Sequence, residues 1–133
     1  MIVVDTSALV AILLSEPDGE GLAGALIVER EAAMAAPSFL ETSIGLNARI
    51  GSQYKPRLEA LVASTNIQMI PFTKEMADIA AVAWQRYDRG SGSAAKLNFG
   101  DCFSYALAQS LDAPLLFKGD DFAATDVTAA LAP

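Results

Sequence analysis

The 133-residue chain is 53% hydrophobic and 19% charged, the balance of a compact globular protein and not of a disordered one, and is expected to form a single domain over 1–133. Its net charge of −7, from 9 Lys and Arg against 16 Asp and Glu, argues against a binder that grips phosphate through a broad basic patch, unless bound divalent cations invert the local electrostatics. The absence of His removes His general bases, His–zinc sites and Ser–His–Asp triads together.

The lone Cys102 excludes an internal disulfide framework and fits a reducing cytoplasm. No apolar run reaches the ~20 residues that span a bilayer. Asp5 stands where a signal peptide would be apolar, so a cytoplasmic protein without a membrane partner is expected.

In chain order, "IVV" (Ile2–Val4) reads as a short, fully buried strand. From Ser7 the residues Leu9, Val10, Leu13 and Leu14 recur at helical spacing. A second helix is expected from about Pro17, with Leu22, Leu26 and Ile27 on its buried face. "AAMAAP" reads as a second strand ended by Pro37. "SFLETSIGLNARIG" reads as a helix with Leu40, Ile44, Leu46 and Ile50 apolar and Gly51 as its stop. "KPRLEALVAST" is a further helix and "IQMIPF" a third strand. "TKEMADIAAVAWQRYDRG" is a helix capped by Thr73 and stopped near Gly90. Trp84 should lie in its core-facing stripe. Asp88 to Gly100, rich in Gly and Ser, reads as a mobile surface loop. "FGDCFSYALAQSLD" is a last helix, "PLLFKGDDF" a strand running into a turn, and a short strand near Val127 could close the sheet. Apolar strands alternating with helices specify an α/β sandwich on a parallel sheet. In such folds sites form at the carboxyl ends of the strands.

Four segments place a carboxylate at a strand end or a helix start: Asp5, Glu41, Asp101, and the pair Asp120 and Asp121. Each alone has a plain structural use. Asp5 suits a helix cap, Ser38-x-x-Glu41 and Asn98-x-x-Asp101 have capping-box spacing, and "GDD" suits a turn. Together they say more. Several acids at one end of a sheet repel by several kcal/mol at an effective dielectric of about 20, and helix N-termini offset only ~0.3–1 kcal/mol each. Oxygen ligands without His select a hard ion, Mg²⁺ or Mn²⁺.

"VVDTSAL", "PSFLETSIGL", "FGDCFSYALAQSL" and "PLLFKGDDFAATDV" together resemble the four blocks of the PIN domain, and most of all the VapC-type ribonuclease toxins. The resemblance spans nearly the whole chain, with the acidic blocks in order. It implies a PIN-like three-layer α/β/α sandwich with a central parallel sheet, Mg²⁺ or Mn²⁺ held by the acids, and endoribonuclease cleavage of a transfer or ribosomal RNA by water. That cleavage leaves a 5′-phosphate and a 3′-hydroxyl. It also implies inhibition by a cognate VapB-like antitoxin, and a homodimer. Position by position, Asp5 and Asp101 match the family's central metal pair and Glu41 its helix-borne glutamate. Asp120 is favoured over Asp121 as the fourth acid, because Asp121 before Phe122 suits the N-cap of a short helix. Thr6 and Ser7 are candidates either to orient Asp5 and a bound water or to cap the first helix.

Around these acids, Arg49, Lys55, Arg57, Arg86, Arg89 and Lys96 are candidates for phosphate contact or for a solvated face. Tyr54 and Tyr87 are candidate stacking platforms for unpaired bases, and Cys102 reads as a small buried hydrophobe. The apolar helices between Ile12 and Ile27, with the acidic balance, suit a basic protein partner. The competing class is a non-catalytic PIN-like module that binds RNA or protein through the same surface. A haloacid-dehalogenase-like phosphatase needs an Asp where Ser7 stands, and no P-loop is present.

Overall fold

The computed structural model describes residues 1–88 and 90–131. Among them, β1 (Ile2–Val4), β2 (Ala32–Ala35), β3 (Ile67–Ile70) and β4 (Leu115–Leu116) pair in parallel in the order β3-β2-β1-β4. Between β1 and β2 run α1 (Thr6–Leu13) and α2 (Gly19–Val28). Between β2 and β3 run α3 (Ala36–Ile50) and α4 (Tyr54–Ser64), and between β3 and β4 run α5 (Lys74–Tyr87) and α6 (Phe99–Leu111).

The strand side chains alternate between two cores. Ile2, Val4 and Met34 face Leu9, Leu22, Leu26, Leu46 and Leu58 of α1 to α4. Val3, Ala33 and Ala35 face Met76, Tyr87, Tyr105 and Leu107 of α5 and α6, with Phe122. The sheet is therefore the middle of three layers, and both of its faces are dry. This also explains "AAMA". Alanine has poor strand propensity, but a strand covered on both sides is decided by its neighbours.

Several local expectations need correction. Pro37 does not end β2; α3 already begins at Ala36, and Pro37 sits in its first turn, where a missing N–H is harmless. Leu40 and Ile44 are exposed, because α3 buries Ser38, Thr42 and Leu46, a stripe two residues out of step with those apolar letters. Ile27 is exposed too, since Leu22 and Leu26 define the inner line of α2. Trp84 is 43% exposed, because Met76, Ala83 and Tyr87 are the buried face of α5. Thr73 caps α5 as expected, accepting from Met76 N at 3.2 Å, but α5 ends at Tyr87, ahead of Gly90. Within the Gly- and Ser-rich stretch, Ala95 and Leu97 are buried, and Leu97 N donates to the Tyr87 carbonyl at 2.9 Å. The strand expected near Val127 is a single bridge between Leu115 and Ala129.

Strand order puts β1 between β2 and β4, with the chain leaving β1 toward β2 and returning through α6 to β4. The carboxyl ends of β1, β2 and β4 and the first turns of α1, α3 and α6 therefore share one edge of the sheet, the usual place for a site.

Candidate active site

Asp5 is the residue after β1 and the N-cap of α1. It is only 3% exposed. Its Oδ2 accepts from Ser7 N at 3.0 Å and from Ser7 Oγ at 2.6 Å, and its Oδ1 accepts from Ser104 Oγ of α6 at 2.6 Å. Two hydroxyl bonds this short are of the charge-assisted kind. Ser7 also ties down the turn after β4, accepting from Lys118 N at 3.0 Å.

Because α3 starts at Ala36, Glu41 falls in its second turn, and the expected Ser38–Glu41 capping box does not form. Released from capping, Glu41 reaches across to α1. Thr6 Oγ1 lies 2.9 Å from both Glu41 Oε1 and the Ser38 carbonyl, which Thr42 Oγ1 also approaches at 2.8 Å. With one proton to give, Thr6 serves the charged carboxylate and Thr42 serves the carbonyl. The Glu41 carboxylate lies directly over the first turn of α6. A Cβ at Gly100 would fall 2.8 Å from Oε1 and closer still to Cδ and Oε2. Only glycine leaves this space. Burial raises the Glu41 pKa, with Thr6 lowering it and Asp5 raising it again.

Asp101 is 9% exposed and does form the expected capping box. Its N–H donates to Asn98 Oδ1 at 2.9 Å, and its Oδ2 accepts from Asn98 N at 3.0 Å. Its pKa is pushed up to about 7, first by desolvation, against the Asn98 bond, and then by the charges of Asp5, Asp121 and Glu41. Asp5, Glu41, Asp101 and Asp121 line one cleft of about 340 Å³, together with Arg49 and Lys118.

The two candidates for the fourth acid separate here. Asp121 lines this cleft, while Asp120 points into the neighbouring cavity between α2 and the β4 turn. No helix follows for Asp121 to cap; residues 121–124 are a turn whose Phe122 is buried.

Among the cations, Arg49 reaches the cleft. Arg57 instead donates to the Leu13 carbonyl at 2.7 Å, closing the end of α1. Arg86 lies 4.9 Å over the Tyr87 ring, Lys55 and Lys96 are solvent-exposed, and Arg89 lies outside the described residues. Tyr87 is buried and offers no free stacking face, and Tyr54 is partly buried against the core. Cys102 is buried, as expected.

Four contributors were not foreseen: Gly100, Ser104, Glu16 and Lys118. Glu16 pairs with Lys118 at the cleft wall. The available signals were a lone Ser one turn after Asp101 on an otherwise apolar helix face, and the single cation in the β4 turn.

Among the described residues no three acidic or Cys side chains converge tightly enough to enclose an ion as they stand; Asp5, Glu41 and Asp101 are each turned onto a protein donor. The donor chemistry nevertheless fits a hard cation. All the acids present oxygen, and the neighbouring Cys102 thiol is held up at about 11 by burial and by Asp101 and Asp88, so it is no ligand near neutrality. Asp101 is raised first by desolvation and further by the charges of Asp5, Asp121 and Glu41, a gathering of negative charge that a cation would relieve.

A three-layer α/β/α domain with acids from α1, α3 and α6 at the carboxyl edge of its sheet is the arrangement of a PIN domain. The family model for the PIN domain matches residues 2–127, and the chain belongs to that family. It is 44% identical to a ribonuclease VapC of Mycolicibacterium smegmatis over 127 residues, covering 96% of this chain and 98% of the relative. Among solved structures, Mycobacterium tuberculosis VapC20, a sarcin–ricin loop cleaving toxin, is similar with a TM-score of 0.79 at 20% identity, each chain covered in full. A toxin–antitoxin complex from Klebsiella pneumoniae contains a chain similar at TM-score 0.68 and 23% identity, covering 95% of this chain and 93% of that one. At such identities the two structures speak to the fold. No helix among the described residues is long and apolar enough to cross a membrane.

Proposed function

We propose that this protein is a Mg²⁺- or Mn²⁺-dependent endoribonuclease of the VapC kind, the toxin of a toxin–antitoxin pair. The observation that carries the reading is the cleft in which Asp5, Glu41, Asp101 and Asp121 meet with Asp101 held near pH 7. The relation to VapC ribonucleases over almost the full chain supplies the substrate class.

Asp5, Asp101 and Asp121, with Glu41, would hold the divalent ion. Such an ion, when bound, acidifies water and offsets charge on the phosphodiester. Asp5 supplies a rigid acceptor, locked by Ser7 and Ser104. Glu41 is held through Oε1 by Thr6, which leaves Oε2 over Gly100 to accept a proton from the attacking water. No side-chain nucleophile takes part, in keeping with a chain that has no His. Arg49 and Lys118, the cations that line the cleft, would meet RNA phosphates there.

A VapB-like antitoxin would close the cleft with a basic side chain, since the pocket's charge complements a cation. The exposed Leu40, Ile44 and Phe99 near the cleft are available to a second copy in a homodimer.

The test is cleavage of a total-RNA pool by antitoxin-free protein with Mg²⁺ or Mn²⁺, with EDTA, and with folded Asp5→Asn and Asp101→Asn variants. Discrete fragments with 5′-phosphates, lost in EDTA and in both variants, are expected. Equal cutting by wild type and variants, or no cutting by wild type, overturns the assignment.

A further inference from the structure

We infer that Ser104 is a positioning residue for Asp5, fixing the plane of its carboxylate so that a single acceptor site faces the cleft, and that Ser38 holds Ser104 in turn. The inference rests on the metal-dependent reading of the cleft and concerns a residue outside the acidic set.

Ser104 lies one turn after Asp101 on α6, and both it and Ser38 are fully buried. Its neighbours on the helix, Ala106, Leu107 and Ala108, pack without polar atoms. A hydroxyl in such a place is unfavourable unless it is bonded, and Ser104 bonds to the one charged group within reach. Its Oγ is 2.6 Å from Asp5 Oδ1 and 3.3 Å from Ser38 Oγ. The short bond to the carboxylate takes the Ser104 proton, because the charged acceptor is the stronger. Ser104 therefore accepts from Ser38, and the chain of donation runs from α3 through α6 to α1. Three helices that meet only at this edge of the sheet are keyed to one carboxylate.

The acceptor sites of Asp5 can then be counted. A carboxylate has about four lone-pair positions. Ser7 N and Ser7 Oγ occupy both on Oδ2, and Ser104 occupies one on Oδ1. One position on Oδ1 remains. Asp5 thus meets a cation through one oxygen in one direction, and without Ser104 the carboxylate is free to tilt about its Ser7 contacts. Outer partners of metal-binding carboxylates typically matter by ~10–100-fold in affinity.

The experiment is Mn²⁺ binding to the full, RNA-free protein, read from the paramagnetic resonance signal of free Mn²⁺, for wild type, Ser104→Ala and Ser38→Ala. RNA-cleavage kcat and KM are measured alongside at fixed Mn²⁺. Ser104→Ala is expected to weaken Mn²⁺ by ~10-fold or more and to lower kcat, with KM for RNA little changed. Ser38→Ala, which leaves the Asp5 contacts in place, is expected to weaken Mn²⁺ by a smaller factor. A role confined to packing predicts a lower unfolding temperature with unchanged Mn²⁺ affinity in both variants, and that result overturns the inference. Should Ser104→Ala fail to fold, Ser38→Ala decides by the same criterion: weaker Mn²⁺ sustains the inference and unchanged Mn²⁺ overturns it. If wild type itself binds no Mn²⁺, the metal reading of the cleft falls and the inference with it. Binding by wild type with equal binding by Ser104→Ala removes the inference alone.

Discussion

Asp101→Asn should destroy RNA cleavage and at the same time stabilise the metal-free protein. The pKa of Asp101 stands at about 7 in the folded chain, against an ordinary value of 3.8, chiefly because it is desolvated and faces other acids. Between those two pH values the folded state holds a proton that the unfolded state has released. Stability therefore falls as pH rises from about 4 to about 7 and is flat above that. At ~1.4 kcal/mol for each pH unit, the ionised carboxylate is opposed by about 4 kcal/mol at most. Water at the cleft mouth screens the charge, and about 2 kcal/mol is the better expectation.

Asn at 101 keeps an oxygen that can accept from Asn98 N, so the capping box survives while the charge goes. In EDTA at pH 8 the variant should unfold roughly 5–10 °C above wild type, and the gap should close as pH falls toward 4. Glu41, whose pKa is also raised, contributes to a slope common to both proteins. Excess Mg²⁺ should then raise the wild-type midpoint more than the variant's, since only binding to the folded state stabilises it. Thermal melts across pH 4–8, with and without Mg²⁺, are the assay. A variant no more stable than wild type at pH 8 in EDTA, or one with the same pH slope, refutes the reasoning.

Other outcomes follow from single contacts. Gly100→Ala adds a methyl whose near neighbour is the Glu41 carboxylate; the helix should gain up to ~1 kcal/mol, while displacement of Glu41 lowers cleavage ~100-fold, seen by pairing melts with rate measurements. Asp121→Asn should weaken Mn²⁺ binding in a titration, whereas Asp120→Asn should leave it near wild type, because Asp120 lines the adjoining cavity. Lys118→Met removes a partly exposed pair with Glu16, so stability should change by under ~1 kcal/mol; the salt slope for binding an uncleavable single-stranded RNA should flatten by ~0.7. Thr73→Ala removes the cap on Met76 N and should lower stability by ~1 kcal/mol with cleavage unchanged.

The layered fold was legible because its signals are local and repeated. "IVV" and "AAMA" are apolar on both faces, and helices with recognisable ends separate them. Asp5 and Asp101 were legible for the same reason, since one follows a strand and the other opens a helix. What failed was phase. Apolar letters at Leu40 and Ile44 suggested a buried stripe, but α3 turns its hydroxyls inward, Ser38 lying beside Ser104 of α6 and Thr42 beside Thr6 of α1. Those partners are 66 residues distant for Ser104 and 36 for Thr6, and no local pattern announces them. Which of Asp120 and Asp121 lines the cleft was not legible either, because it depends on how the turn after β4, with its buried Phe122, seats against the rest of the fold. Trp84 shows the converse: a large apolar residue at helical spacing is placed outside because the smaller Ala83 has the inner position.

Capping and the proposed metal binding, which compete when each acid is read alone, would fall to different oxygens of the same side chains. Asp101 gives Oδ2 to the Asn98 N–H, and among the described residues its Oδ1 has no hydrogen-bond partner. Glu41 gives Oε1 to Thr6 and keeps Oε2 over Gly100. Asp5 gives Oδ2 to the start of α1 and shares Oδ1 with Ser104. In each case the bond that anchors the carboxylate also ends a strand, starts a helix or ties two helices. The fold therefore aims the remaining oxygen without a separate set of supporting residues. The same economy makes the acids hard to replace. An amide at Asp5, Glu41 or Asp101 can keep much of the anchoring, so such variants should fold, and what they lose is the charge that the cleft concentrates. Folded but inactive amide variants are the signature of this arrangement, and an unfolded Asp5→Asn would mean that Ser7 and Ser104 need a charged acceptor to hold α1 in place.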